Sequence, residues 1–162
     1  MTTETRHLTV EAPAGTPFID TVREFDAPVA ALFRAHSDPE LVKQWMGPDG
    51  YETDIPEWDF RTRGSYRFVQ HSPSGQEYRF NGVIHRVEQD KRIVQTFEFE
   101  GTPDDVSLES LQFVDLGGGR TRLVGHSTYP SVAARDGMVS SGMEQGMVQG
   151  YARLDALLPS LS

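Results

Sequence analysis

The stretch SSGMEQGMVQGYARLDALL, residues 140–158, decides how the rest of this chain is interpreted. Its large apolar side chains recur every three or four positions, which places them on one side of a helix: Met143, Met147, Tyr151, Leu154 and Leu158. An apolar stripe of this kind needs an apolar surface to pack against. We therefore predict one long amphipathic helix over residues 140–158, lying across a sheet that the preceding residues supply.

Three glycines form a second stripe on the same helix. Gly142, Gly146 and Gly150 repeat every four residues, and each costs about 1 kcal/mol of helix stability relative to alanine. Two interpretations remain open: close packing against a neighbouring backbone, or room left for a ligand. A membrane helix dimer is excluded, because Glu144 and Gln145 interrupt the apolar run.

The pattern upstream of this helix predicts an α+β fold. Residues 18–25 alternate as a first strand, and two short helices then begin near Asp26 and Asp38, each close to a proline. From residue 51 the apolar period switches to two, and short turns separate about six strands. Strands joined by short turns pair antiparallel. We expect a curved antiparallel sheet wrapped around the C-terminal helix, with residues 1–16 as an arm that has room for a short edge strand and residues 17–162 as one domain.

Composition narrows the function classes. The chain of 162 residues has 15 basic and 24 acidic side chains, a net charge of −9 and no cysteine. An excess of negative charge repels phosphate backbones and anionic membranes, so we expect no nucleic-acid or membrane partner. The five histidines show no metal-ligand spacing, and we predict neither a metal nor a cofactor. A cytoplasmic location is expected.

The candidate site is an aromatic and methionine-rich surface with few polar groups. His126 is the leading polar candidate, in phase with Val124 and Thr128, but the alternation does not decide whether this set or Leu123, Gly125 and Ser127 points inward. No catalytic residue is predicted. The predicted ligand-binding residues are Trp45, Trp58, Phe68, Gln70, Tyr78, Phe80, Phe97, Phe113, His126, Met143, Met147 and Tyr151.

The segment PELVKQWMGP, residues 39–48, resembles the activator of heat-shock protein 90 ATPase family. Segments such as RGSYRFVQHSPSGQEYRFNGVIHRV and SGMEQGMVQGYARLDALL agree with it in order, so that the resemblance covers roughly residues 5–158. One departure is Met46, which stands where the family often has a second tryptophan. The resemblance implies the START-like (SRPBCC, helix-grip) fold of ligand-binding domains.

The residues and the resemblance together give three functional hypotheses. The first is a protein that binds a small hydrophobic molecule between the sheet and the C-terminal helix. The second is a cyclase-like or hydrolytic enzyme acting on aromatic or polyketide substrates, with His126, Gln70 and Tyr78 handling protons. The third, implied by the family name alone, is a chaperone cofactor or protein-interaction module. The resemblance also allows a homodimer.

Overall fold

The computed structural model describes residues 2–5 and 8–161, with the side chains of residues 8–161. The strands of this described part are β1 (Thr2–Thr5), β2 (Leu8–Glu11), β3 (Phe18–Phe25), β4 (Glu52–Trp58), β5 (Ser65–His71), β6 (Glu77–Glu88), β7 (Arg92–Phe99), β8 (Ser107–Gly117) and β9 (Arg120–Thr128). The helices are α1 (Val29–Ser37), α2 (Pro39–Trp45), α3 (Val132–Ser140) and α4 (Met143–Leu157), and a 3-10 turn, Leu158–Leu161, ends the chain.

The strands form one open antiparallel sheet in the order β1-β2-β3-β9-β8-β7-β6-β5-β4. The two short helices follow β3 and the helical C-terminal segment follows β9. This arrangement confirms the predicted α+β helix-grip fold. Within residues 1–16, β2 pairs with β3, and Leu8 and Val10 are only 2% and 3% exposed. The first residues therefore contribute side chains to the core as well as edge strands.

Local sequence signals explain where two of the four described helices begin. The Asp38 carboxylate accepts a hydrogen bond from the Glu40 amide at 3.0 Å, and Ser131 accepts one from the Ala134 amide at 3.0 Å. Both are N-cap interactions that satisfy free helix donors. The first of the two short helices, predicted to begin near Asp26, begins after Pro28 without a side-chain cap.

The terminal helix is shorter than predicted. Gly142 has φ +90°, a left-handed conformation that glycine adopts without steric cost. This residue separates α3 from α4, so the helix predicted from residue 140 begins at Met143. A Cβ on Gly150 would lie 3.0 Å from the Trp45 carbonyl oxygen, and one on Gly146 would lie 3.7 Å from the Pro48 side chain. These two glycines therefore allow close packing against the end of α2.

The curvature of the sheet depends on irregular pairing and on one central glycine. The register between β6 and β7 shifts between Ile84 and Arg86, and such bulges bend a strand. Just before the shift, Tyr66 of β5 lies opposite Gly82 of β6. Its hydroxyl reaches over the glycine and donates to the Thr96 carbonyl on β7 at 2.6 Å. The absence of a Cβ at Gly82 makes this crossing possible.

Candidate functional site

Burial changes along the apolar stripe of α4. In its C-terminal half, Tyr151 and Leu154 are 9% and 0% exposed, and Leu158 just beyond it is 1% exposed. In the N-terminal half, Met143 and Met147 on the same stripe are only half-buried. The helix therefore seals the concave face of the sheet at its C-terminal end and leaves it accessible at its N-terminal end.

The strands opposite α4 show the same gradient. Ile93 of β7 and Phe113 of β8 are 4% and 6% exposed. Further along the same inward faces, Phe97 and Leu111 are half-buried, as is Phe80 on β6. We call the space between these accessible side chains and the N-terminal half of α4 the hollow. Its walls are Phe80, Phe97, Phe99, Glu109, Leu111, Met143 and Met147.

Stacked aromatic rings form the wall on β5–β7. The ring centroid of Phe80 lies 4.9 Å from that of Phe68, 5.4 Å from that of Phe97 and 5.3 Å from that of Phe99. Offset aromatic packing at such distances is favourable and holds the rings in place. The hollow is therefore bordered by a preformed apolar surface.

One acidic side chain interrupts this apolar lining. The Glu109 carboxylate lies deep in the protein, and burial raises its pKa even though Gln95 donates a hydrogen bond to Oε1 at 3.2 Å. The residue nevertheless keeps part of its surface accessible to solvent. A deep side chain with accessible surface borders an internal space, so Glu109 supplies a polar group inside the hollow.

Tyr151 is buried in the sealed part of the core. Its ring stacks on Trp45 at 5.9 Å and meets the edge of Phe25 at 5.2 Å. Burial raises its pKa to about 12, with the positive charge of Arg23 opposing this effect and the carboxylate of Glu109 adding to it. Tyr151 therefore responds electrostatically to both charged side chains on the concave face.

His36 is a second inward polar group, at the sealed end. Its ring lies 4.9 Å from Trp45 and 5.3 Å from Phe113. Its Nδ1 lies 2.8 Å from the Leu32 carbonyl oxygen, so Nδ1 carries the proton and Nε2 is an acceptor. Burial lowers the pKa of His36 to about 4, although the bond to Leu32 opposes the shift. The imidazole is neutral at pH 7.

The structure brings many of the predicted residues to the concave side. Trp45 is buried, and its Nε1 donates to the Ala35 carbonyl at 2.9 Å. Trp58 stacks on Phe60 at 5.9 Å and donates to the Ser37 carbonyl at 2.8 Å. The others on this side are Phe68, Phe80, Phe97, Phe113, Met143, Met147 and Tyr151. Whether they bind a ligand stays a prediction.

Of the three predicted polar residues, His126 lies on the opposite face of the sheet. Leu123 is buried while His126 is exposed, so the alternative set on β9 points inward. The His126 ring faces out and its Nδ1 lies 2.6 Å from Asp20. Gln70 and Tyr78 are paired across β5 and β6, in phase with Phe68 and Phe80, and the Tyr78 ring lies 6.2 Å from that of Phe99. Gln70 is buried beneath Gly47, and the Tyr78 hydroxyl donates to Gln76 at 2.7 Å. The three residues of the enzyme hypothesis are therefore not assembled as a set, because His126 faces away.

Sequence reasoning missed Glu109, Gln95 and His36. Two of them carried a usable signal: Glu109 is in phase with Leu111 and Phe113, and Gln95 is in phase with Phe97. Strict alternation would have placed both side chains inward. His36 gave no such signal, because its position depends on how α1 packs against α2 and β8.

Two surface depressions among the described residues lie on the convex face. The larger has a volume of about 550 Å³ and a border that includes Glu57, Arg67, Asn81, Glu98 and Glu100. Arg67 and Glu100 are paired there at 2.9 Å. This depression is shallow, charged and open to solvent, unlike the enclosed apolar sites that small molecules prefer.

The described residues contain neither a metal site nor a spanning helix. Within residues 8–161, no three acidic or histidine side chains cluster closely enough to hold a metal ion. His7 lies outside the described residues. None of the described helices has the length and apolar character needed to cross a membrane.

Comparisons with known proteins agree with this architecture. The family model described as "Activator of Hsp90 ATPase homolog 1-like protein" matches residues 26–159. A search of curated proteins finds no match.

Solved structures resemble the chain over nearly its whole length. A Rhodobacter sphaeroides protein has a TM-score of 0.85 at 24% identity, covering 95% of this chain and 99% of its own. A Mycobacterium smegmatis protein has a TM-score of 0.83 at 24% identity, covering 98% and 97%. A solution structure from Arthrobacter aurescens has a TM-score of 0.83 at 25% identity, covering 93% and 91%. At such identities the likeness concerns the fold.

Proposed function

The chain belongs to the Activator of Hsp90 ATPase homolog 1-like family, and we propose that it binds a small, largely apolar molecule in the hollow. The observation that carries this proposal is the burial gradient along α4. Aromatic and methionine side chains face inward on the concave side of the sheet and remain accessible. Exposed apolar surface of this kind often marks a binding site.

The chemistry of the lining supports binding. Ligand sites are typically concave, mostly apolar and equipped with a few fixed polar groups. The hollow offers stacked phenylalanines on one wall and two methionines on the other, with Glu109 as the polar group. Methionine side chains adapt to ligands of different shape, so Met143 and Met147 suit a site on a helix that covers its ligand.

Filling the hollow tests the proposal. In Met147→Trp the larger indole fills space on the apolar face of α4, and we expect the affinity for the uncharged dye N-phenylnaphthylamine to fall about tenfold or more, a loss of about 1.4 kcal/mol or more. Dye fluorescence in a titration measures this change. Met147 is half-buried, so the melting temperature is expected to stay close to that of the wild type.

The matched control is Gln145→Trp, which adds the same ring to the exposed side of α4. Its dye affinity is expected to remain that of the wild type. Equal affinities in all three proteins, or no dye binding to the wild type, would contradict the proposed function.

A further inference from the structure

We propose that Glu109 selects the polar end of the bound molecule, so that the hollow accepts apolar amines and alcohols in preference to fatty acids and other carboxylates. This inference rests on the proposed function and adds the chemical class of the ligand. It follows from which hydrogen-bonding groups face the hollow and from which charges are already paired.

Glu109 has an unused acceptor. It lies on the inward face of β8 in phase with Leu111 and Phe113, and Gln95 of the neighbouring strand donates only to Oε1, at 3.2 Å. Among the described residues, no hydrogen bond to Oε2 is found. Among residues 8–161 the fully buried side-chain nitrogen or oxygen without a partner is Arg92 Nε, so Oε2 of Glu109 keeps surface that a ligand can reach. A ligand that carries a hydroxyl or ammonium group can supply the missing donor.

The positive charge on the concave face is already neutralised. Arg23 points inward and its side chain is 8% exposed. Its two terminal nitrogens contact the two Asp155 carboxylate oxygens at 2.6 and 2.7 Å. The guanidinium also lies 4.3 Å above the Phe25 ring. Because this pairing holds Arg23 against α4, a carboxylate entering the hollow has no free arginine to bind.

The electrostatics of the hollow therefore discriminate between head groups. A carboxylate brought beside Glu109 places two negative charges together in a poorly solvated space, unless Glu109 takes up a proton. An ammonium instead stabilises the ionised carboxylate, and a hydroxyl can bond to either form. Burial raises the pKa of Glu109, so a positive charge beside this carboxyl favours its ionised form.

Three ten-carbon probes that share the same alkyl chain and differ only in their polar head group test this inference. Decylamine, decanol and decanoate are titrated at pH 7 against the protein loaded with N-phenylnaphthylamine, and displacement of the dye is followed by fluorescence. We expect decylamine and decanol to displace the dye at concentrations about tenfold lower than decanoate, because like charges in contact weaken association.

The variant Glu109→Gln removes the charge and keeps the shape. It is expected to reduce the preference for decylamine over decanoate about tenfold, whereas Glu98→Gln on the convex face should leave the preference unchanged. The inference is overturned if the wild type binds decanoate as tightly as decylamine, or if Glu109→Gln keeps the wild-type preference. Either result leaves the proposed function standing. A wild type that fails to bind the dye defeats the proposed function instead.

Discussion

Replacing Gly82 with alanine is expected to destabilise the protein by about 3 kcal/mol or more, because the new methyl group has no space. A Cβ at this position would lie 2.5 Å from the Tyr66 hydroxyl oxygen and 2.6 Å from its ring, and closer still to the Thr96 carbonyl oxygen. The sheet could accommodate it only by moving β7 or by expelling the Tyr66 ring. Either movement breaks the bond from Tyr66 to Thr96 and disturbs the aromatic wall of the hollow.

Urea unfolding followed by circular dichroism measures this loss. The control is Gly137→Ala in α3, where a Cβ would meet no atom within 4 Å. In a helix interior this change is expected to raise the unfolding free energy by up to about 1 kcal/mol. If the two variants were equally stable, the close crossing of Tyr66 over Gly82 would be refuted.

The second large effect is an acid-dependent loss of stability caused by His36. The pKa of this imidazole is about 4 in the folded protein, against 6.5 for an exposed histidine. Between these values the unfolded chain binds a proton that the folded protein does not, so stability falls as the pH drops from about 6.5 towards 4. The difference between the two pKa values corresponds to about 3 kcal/mol.

The variant His36→Phe keeps a ring between Trp45 and Phe113 and removes the titrating group. It is expected to lose stability at pH 7, because the bond to Leu32 is gone, but to show a flatter dependence between pH 6.5 and 4. The raised pKa of Glu109 acts in the opposite direction, since acidification favours its buried neutral form. The difference between variant and wild type isolates His36.

Denaturant unfolding at a series of pH values measures how the unfolding free energy of His36→Phe and of the wild type depends on pH. The exposed residue His85 provides the control His85→Gln. The control is expected to follow the wild type. If His36→Phe and the wild type lost stability in parallel below pH 6.5, the burial of a neutral imidazole would be contradicted.

Most of the fold could be predicted because its signals are local. The apolar stripe on α4, the strand alternation and the caps at Asp38 and Ser131 depend on neighbouring residues alone. The break at Gly142 could not be distinguished from the helical glycines Gly146 and Gly150 by spacing, because it is decided by a positive φ. Whether a glycine stripe packs closely or leaves room depends on what lies opposite, which here is the end of α2.

The candidate site was predicted mainly in its apolar part. Phenylalanines and methionines could be assigned to the concave face from periodicity. The polar groups of the site were harder to predict, because a hydrophilic side chain in a strand is normally expected to face solvent. That expectation overlooked Glu109, although its phase with Leu111 and Phe113 indicates an inward side chain, whereas His126, chosen for its phase with Val124, lies outside.

Methyl NMR on protein labelled at methionine, leucine and valine tests the central claim most directly. The claim is that the hollow beneath the N-terminal half of α4 is open and receives an apolar molecule. N-phenylnaphthylamine is a suitable ligand, because its aromatic rings shift the signals of nearby methyl groups.

The account predicts that the dye shifts the signals of Met143, Met147 and Leu111, while those of Val83 and Leu108, which are 55% and 51% exposed on the convex face, stay in place. Shifts confined to Val83 and Leu108, or no shift at Met143 and Met147 at saturating dye, would contradict it.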